Sequence, residues 1–136
     1  MREVIGVNAI LDVLRNAPDF IRGKGCGNVA ISDAEQALGI RFAPDYRAYL
    51  QKIGLACFDG HELTGICKAF RLNVVDVTLD ERKQCPDAAG WYVVEQANVD
   101  GIVIWQAPSG EIYQTMPGVS ARKICNSLTE YVTEDF

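Results

Sequence analysis

His61 is the only histidine in the chain, and Cys57 and Cys67 fall close to it. A thiol beside an imidazole is the pairing of a nucleophile with its general base. It works when a third group orients the ring, and no such group stands at a characteristic spacing here. As metal ligands the three residues lack a fourth donor and the spacing of about two to four residues that paired zinc ligands show. The neighbouring carboxylates Asp80 and Glu81 would point about 100° apart on a helix and would not share one substrate. Glu95 and Asp100 bracket a hairpin and could approach across it, although acids in such places ordinarily line a wet sheet face or a turn. Gly23, Gly25 and Gly27, with Arg22 and Lys24 between them, have the composition of a phosphate cradle. They lack the strand and helix context and the G-x-x-x-x-G-K-[ST] string, so a flexible loop is expected. No catalytic residue, metal or cofactor is therefore assigned. An enzyme with a pocket at Cys57 and His61 is kept as an alternative, to be marked by one thiol that labels much faster than the rest.

The elements that would position these residues change character along the chain. Val7, Ile10, Leu11 and Leu14 follow a helical stripe, which predicts a helix over about Glu3 to Asn16, limited by Pro18. Ser32 and Glu35 form an S-x-x-E capping box, which predicts a second helix ended by Gly39. A third is expected from Pro44, which suits a first helical position, to Ile53, with Gly54 as its left-handed stop. Beyond Leu55 the pattern alternates. Leu55–Asp59, Leu63–Ile66, Phe70–Val77, Trp91–Asn98, Ile102–Ala107 and Glu111–Thr115 read as strands, the last three joined in an antiparallel meander. Thr78 is expected to cap a short charged helix over Leu79–Gln84. Ala121, Ile124, Cys125, Leu128, Tyr131 and Val132 predict a closing helix. The fold class is α+β: an antiparallel, roughly six-stranded sheet with helices at both ends, in one domain over residues 1–136.

Charge separates along the same boundary. Seven basic and six acidic residues precede Leu55, while six basic and twelve acidic residues follow it, and the total is −5. An acidic strand-rich half argues against a phosphate-backbone partner and favours a basic one. No apolar run approaches a membrane span of about 18 residues, and charges interrupt the place of a signal peptide, so a cytoplasmic protein without a membrane partner is expected. The five cysteines, at 26, 57, 67, 85 and 125, are an odd number without a C-x-x-C pair, and they read as reduced thiols, mostly small buried apolar groups, with Cys57 on an inner strand face.

The ordered series of short strings resembles the SUKH superfamily, which holds the yeast Smi/Knr cell-wall regulators and many bacterial toxin-immunity proteins. It begins with Ser32, Glu35, Gly39, the Pro44-Asp45-Tyr46 run and Gly54. It continues through Phe58-Asp59-Gly60-His61-Glu62-Leu63-Thr64-Gly65, Val75-Asp76-Val77-Thr78 with Arg82, Tyr92-Val93-Val94-Glu95, Asp100-Gly101, Gly110-Glu111-Ile112-Tyr113 and Ser127-Leu128-Thr129-Glu130-Tyr131. One departure is Ala43, where the family usually carries proline. The resemblance implies a non-catalytic domain that binds and neutralises a cognate toxin domain, such as a nuclease, or alternatively a regulatory scaffold of the Smi/Knr type. Read from the residues, the acids and aromatics of the second half would form the binding surface, with Asp76, Asp80, Glu81, Glu95, Asp100 and Trp91 as candidates. Trp105, Tyr92 and Tyr113 interleave with them. An unpaired sheet edge would also allow a homodimer.

Overall fold

The computed structural model describes residues 9–134. It begins with helix α1 (Ala9–Arg15), and the earlier part of the expected first helix lies outside the described residues. Ile10, Leu11 and Leu14 bury the predicted stripe. Helix α2 spans Asn28–Leu38 and helix α3 spans Pro44–Lys52. As expected, Gly39 closes α2, its amide bonded to the carbonyls of Glu35 and Gln36, and Pro44 opens α3.

The start of α2 corrects the capping reading. Ser32 lies exposed in the helix interior, because a turn begun at Asn28 puts Ile31, Ala34 and Leu38 on one buried face. Freed from capping, Glu35 reaches the next element: it accepts the Phe42 amide at 2.8 Å and pairs with Arg47 of α3.

The glycine-rich segment is part of the packing and not a flexible loop. Ile21–Arg22 form β1, which pairs antiparallel with β2 (Ala56–Phe58), itself paired with β3 (His61–Leu63). The Gly23 amide bonds to Leu55 O at 2.8 Å and the Cys26 amide to Leu50 O at 3.0 Å. Here backbone lies directly on backbone. A Cβ on Gly54, whose φ is +84°, would meet Lys24 O at 1.7 Å, and one on Gly65 would meet Gly54 O at 1.8 Å.

Two further expectations are corrected beyond β3. Phe70–Val77 is no strand: Phe70–Leu72 is a 3₁₀ turn and Val74–Arg82 is helix α4. The N-cap is Asn73, not Thr78; its side chain accepts the amides of Val75 and Asp76 at 2.9 and 3.2 Å. Val74, Val77 and Thr78 then fall on one buried face. A second 3₁₀ turn, Pro86–Ala88, leads to the sheet.

Strands β4 (Tyr92–Gln96), β5 (Val103–Gln106) and β6 (Ile112–Met116) form the expected meander. It gains β7 (Val119–Cys125), where a helix was expected. The turn at Pro117–Gly118 folds β7 back on β6, so that Met116 pairs with Val119 and Ile112 with Cys125. The closing helix α5 is shorter, Leu128–Thr133, capped by Ser127, whose hydroxyl accepts the Glu130 amide at 3.1 Å.

The strands make two antiparallel sheets, β1-β2-β3 and β4-β5-β6-β7, in place of one six-stranded sheet. Side chains interrupt the seam between β3 and β4. The Glu62 amide donates to the Glu95 carboxylate at 2.9 Å, and the Thr64 hydroxyl donates to Val93 O at 2.8 Å. A backbone bond from the Thr64 amide to Val94 O, 2.9 Å, joins the sheets. Helices α1, α2, α3 and α5 cover one side and enclose the larger core, with Tyr46, Tyr49, Leu50 and Tyr92 fully buried. Val77, Ala88, Val93, Val103 and Trp105 make a smaller core on the other side, under α4 and the Pro86–Ala88 turn.

Candidate protein-interaction face

Alternation along β4 sends the candidate residues to opposite sides of the sheet. Tyr92 and Val94 enter the larger core and Val93 the smaller one. A bulge between Val93 and Glu95 then puts Glu95 on the same side as Val94.

That bulge takes Glu95 out of the candidate surface. Only 4% exposed, its carboxylate accepts the Tyr131 hydroxyl at 2.6 Å and the Glu62 amide at 2.9 Å, and His61 Nδ1 lies 3.0 Å away. Nor does it meet Asp100, which sits exposed in the β4–β5 turn with φ +55°. His61 is a strand residue stacked on Phe58, with its Nε2 3.2 Å from Glu134. Both ring nitrogens thus face carboxylates. Burial opposes a positive charge on the ring, but hydrogen bonds and charge from Glu95 and then Glu134 outweigh it and raise the imidazole pKa above its ordinary value.

Cys57 is half-buried on the outward-facing position of β2, between buried Ala56 and Phe58, so the inner-face expectation is corrected. Desolvation and then the Glu62 charge raise its thiol pKa, opposite to the shift that activates a nucleophile. Desolvation likewise raises Cys26, and pushes Cys125 up to about 11. All five thiols are free, with Cys125 buried and the others half-buried. Among the described residues no three histidine, cysteine, aspartate or glutamate side chains converge as a metal site.

The opposite side carries the remaining candidates. Asp76 stands half-buried in the first turn of α4, where it complements the helix dipole. Asp80 is exposed, 3.9 Å from Lys83, and Glu81 accepts from Gln96 Nε2 at 2.6 Å. Thr78 fixes the helix to the sheet by accepting the Val93 amide at 2.9 Å. Arg82 ties it to α2, donating to Leu38 O at 2.9 Å and to Trp91 O at 3.0 Å. Desolvation lowers the pKa of Arg82, whose buried Nε has no hydrogen-bond partner among the described residues.

The aromatics divide as the acids do. Half-buried Trp91 stacks on Tyr113 with centroids 4.1 Å apart and planes at 11°, and Trp105 lies beneath, fully buried, its indole N–H donating to Thr115 Oγ1 at 2.8 Å. Tyr92 is instead a core residue of the other side, its hydroxyl donating to Gln106 at 2.6 Å and accepting the Ala43 amide at 2.9 Å. Between the C-terminal end of α4 and the β6–β7 turn lies a cleft of about 520 Å³. Its acidic wall adds Asp87 to Glu81, and its apolar side adds Met116 and Val119 to Val103 and Trp105. Met116 and Val119 were missed by sequence reasoning because the β6–β7 hairpin that completes the cleft was read as loop and helix, and Asp87 because the Pro86–Ala88 turn that carries it has no pattern of its own.

No helix among the described residues is long and apolar enough to cross a membrane. A family model described as SMI1-KNR4 cell-wall matches residues 8–136. No curated protein matches the chain.

Proposed function

Since the chain belongs to the SUKH family described as SMI1-KNR4 cell-wall, we propose that it is a non-catalytic protein-binding domain acting in the cytoplasm as an immunity protein that neutralises a cognate toxin domain. The supporting observation is the face formed by α4 and the turn after it. Asp76, Asp80 and Glu81 of α4 and Asp87 of that turn lie on the side of the sheet that also carries the half-buried Trp91–Tyr113 stack. Acids steer a basic partner toward the face, and rigid aromatics supply contact area at low entropic cost. For a nuclease toxin, the carboxylates would occupy the positions that substrate phosphates take. Binding alone then blocks the toxin, without turnover.

The test is isolation of the tagged protein from its host under toxin-inducing and ordinary growth, followed by mass spectrometry and growth rescue with the recovered partner. One stoichiometric toxin domain, whose toxicity the protein suppresses, is the expected result. Recovery with signalling proteins in place of a toxin would overturn the immunity role in favour of a regulatory scaffold.

A further inference from the structure

We infer that the cleft between α4 and the β6–β7 turn receives a basic segment of the protein partner, a lysine or arginine whose stem lies over the apolar side and whose cation ends between Glu81 and Asp87. This deepens the protein-binding reading above and names its docking point.

Charge complementarity selects this occupant. Glu81 and Asp87 are the only charged side chains among the described residues that line the cleft. Of the basic residues next to Glu81 in sequence, Arg82 bonds to the carbonyls of Leu38 and Trp91, and Lys83 lies 3.9 Å from Asp80. Gln96 holds one oxygen of Glu81 at 2.6 Å, so the carboxylate is oriented before any partner arrives. The apolar side suits an aliphatic stem, since long basic side chains bury their methylenes and keep their charge at a polar rim. Val119, 55% exposed, adds to the apolar side together with Val103, Trp105 and Met116. The wall is also firm. The β4–β5 turn packs so closely on the β6–β7 turn that a Cβ on Gly101 would lie 2.9 Å from the Pro117 ring. At about 520 Å³ the cleft can hold a side chain with its flanking backbone.

Cys85, half-buried in the same cleft, provides a reporter. The probe is a phage-displayed library of random dodecapeptides panned on the full chain, with per-site alkylation read by mass spectrometry. Enriched peptides should carry lysine or arginine beside an apolar residue and should slow alkylation of Cys85 while leaving Cys26, Cys57 and Cys67 unchanged. The Glu81→Lys/Asp87→Lys variant should bind them on the order of tenfold or more weakly. Glu81→Gln/Asp87→Asn should fall between it and the parent, and the charge-matched Asp12→Lys/Asp33→Lys control should bind like the parent. Failure to enrich any peptide, enrichment of acidic or uncharged peptides, unchanged Cys85 labelling, or equal loss in the control would overturn the assignment. A toxin partner that binds the cleft variant as well as the parent would overturn it too and leave the protein-binding reading standing. Basic peptides that dock here, with no toxin recovered from the host, would instead retire the immunity role and keep the cleft.

Discussion

Glu95, carried by β4, and Glu81, which meets β4 from α4 through Gln96, stand on opposite sides of the sheet and have opposite fates. Glu95 is saturated from within by a tyrosine hydroxyl, a backbone amide and the imidazole. Glu81 spends one oxygen on Gln96 and lines an open cleft. In one chain, then, a carboxylate can hold two sheets together or be held ready for something outside. Donor supply tells the two apart better than residue type does.

The largest effect should come from emptying the inner site. Glu95→Ala would take from the Glu62 amide and the Tyr131 hydroxyl their carboxylate acceptor and leave His61 with Glu134 alone, and should cost about 3–5 kcal/mol in chemical denaturation. A loss below about 1 kcal/mol would show that the inner carboxylate is no more structural than the outer ones. Tyr131→Phe removes one donor from the same site and should cost about 1–2 kcal/mol by the same measurement.

His61 sharpens the contrast through pH. Its folded pKa is raised, so its contribution to stability is complete below the unfolded value of 6.5 and is lost as pH rises through the folded value. The groups facing it are Glu95 from β4, Glu134 just beyond α5, and the rings of Phe58 and Tyr131. The melting temperature should therefore gain a downward step above pH 6.5 that His61→Gln abolishes; an identical slope in both proteins would show that His61 does not contribute to the Glu95 site. The smallest effect belongs to the outer face, where Asp80→Lys and Asp87→Lys should each change stability by no more than about 0.5 kcal/mol.

The parts that were legible in sequence are those with local physical causes. Pro44 and the Gly39 stop marked helix ends because each satisfies or removes a backbone donor on its own. The β4–β6 meander was legible because its apolar runs sit between short turns. The capping box failed because Ser32 and Glu35 satisfy the pattern equally well inside a helix that starts a turn earlier to bury Ile31. Val74–Thr78 was ambiguous, since a short apolar run fits either period, and Asn73 decided the matter by accepting two amides. β7 was hidden because its pairing with β6 lies across the Pro117–Gly118 turn while its own residues are largely exposed. Of the proposed surface, Asp76, Asp80, Glu81 and Trp91 share the α4 side, whereas Glu95 was lost to a bulge that no local pattern announces.

Lys24, Gly54 and Gly65 stack main chain on main chain, which gives the molecule a joint made without side chains. Such a rivet is blind to the identity of almost every residue around it. A protein engineer could vary the outward positions of α4, the Pro86–Ala88 turn and the β6–β7 hairpin, keeping the buried Val74, Val77, Thr78, Ala88 and Ile112, and retarget the domain much as one changes the bit in a drill whose chuck stays the same.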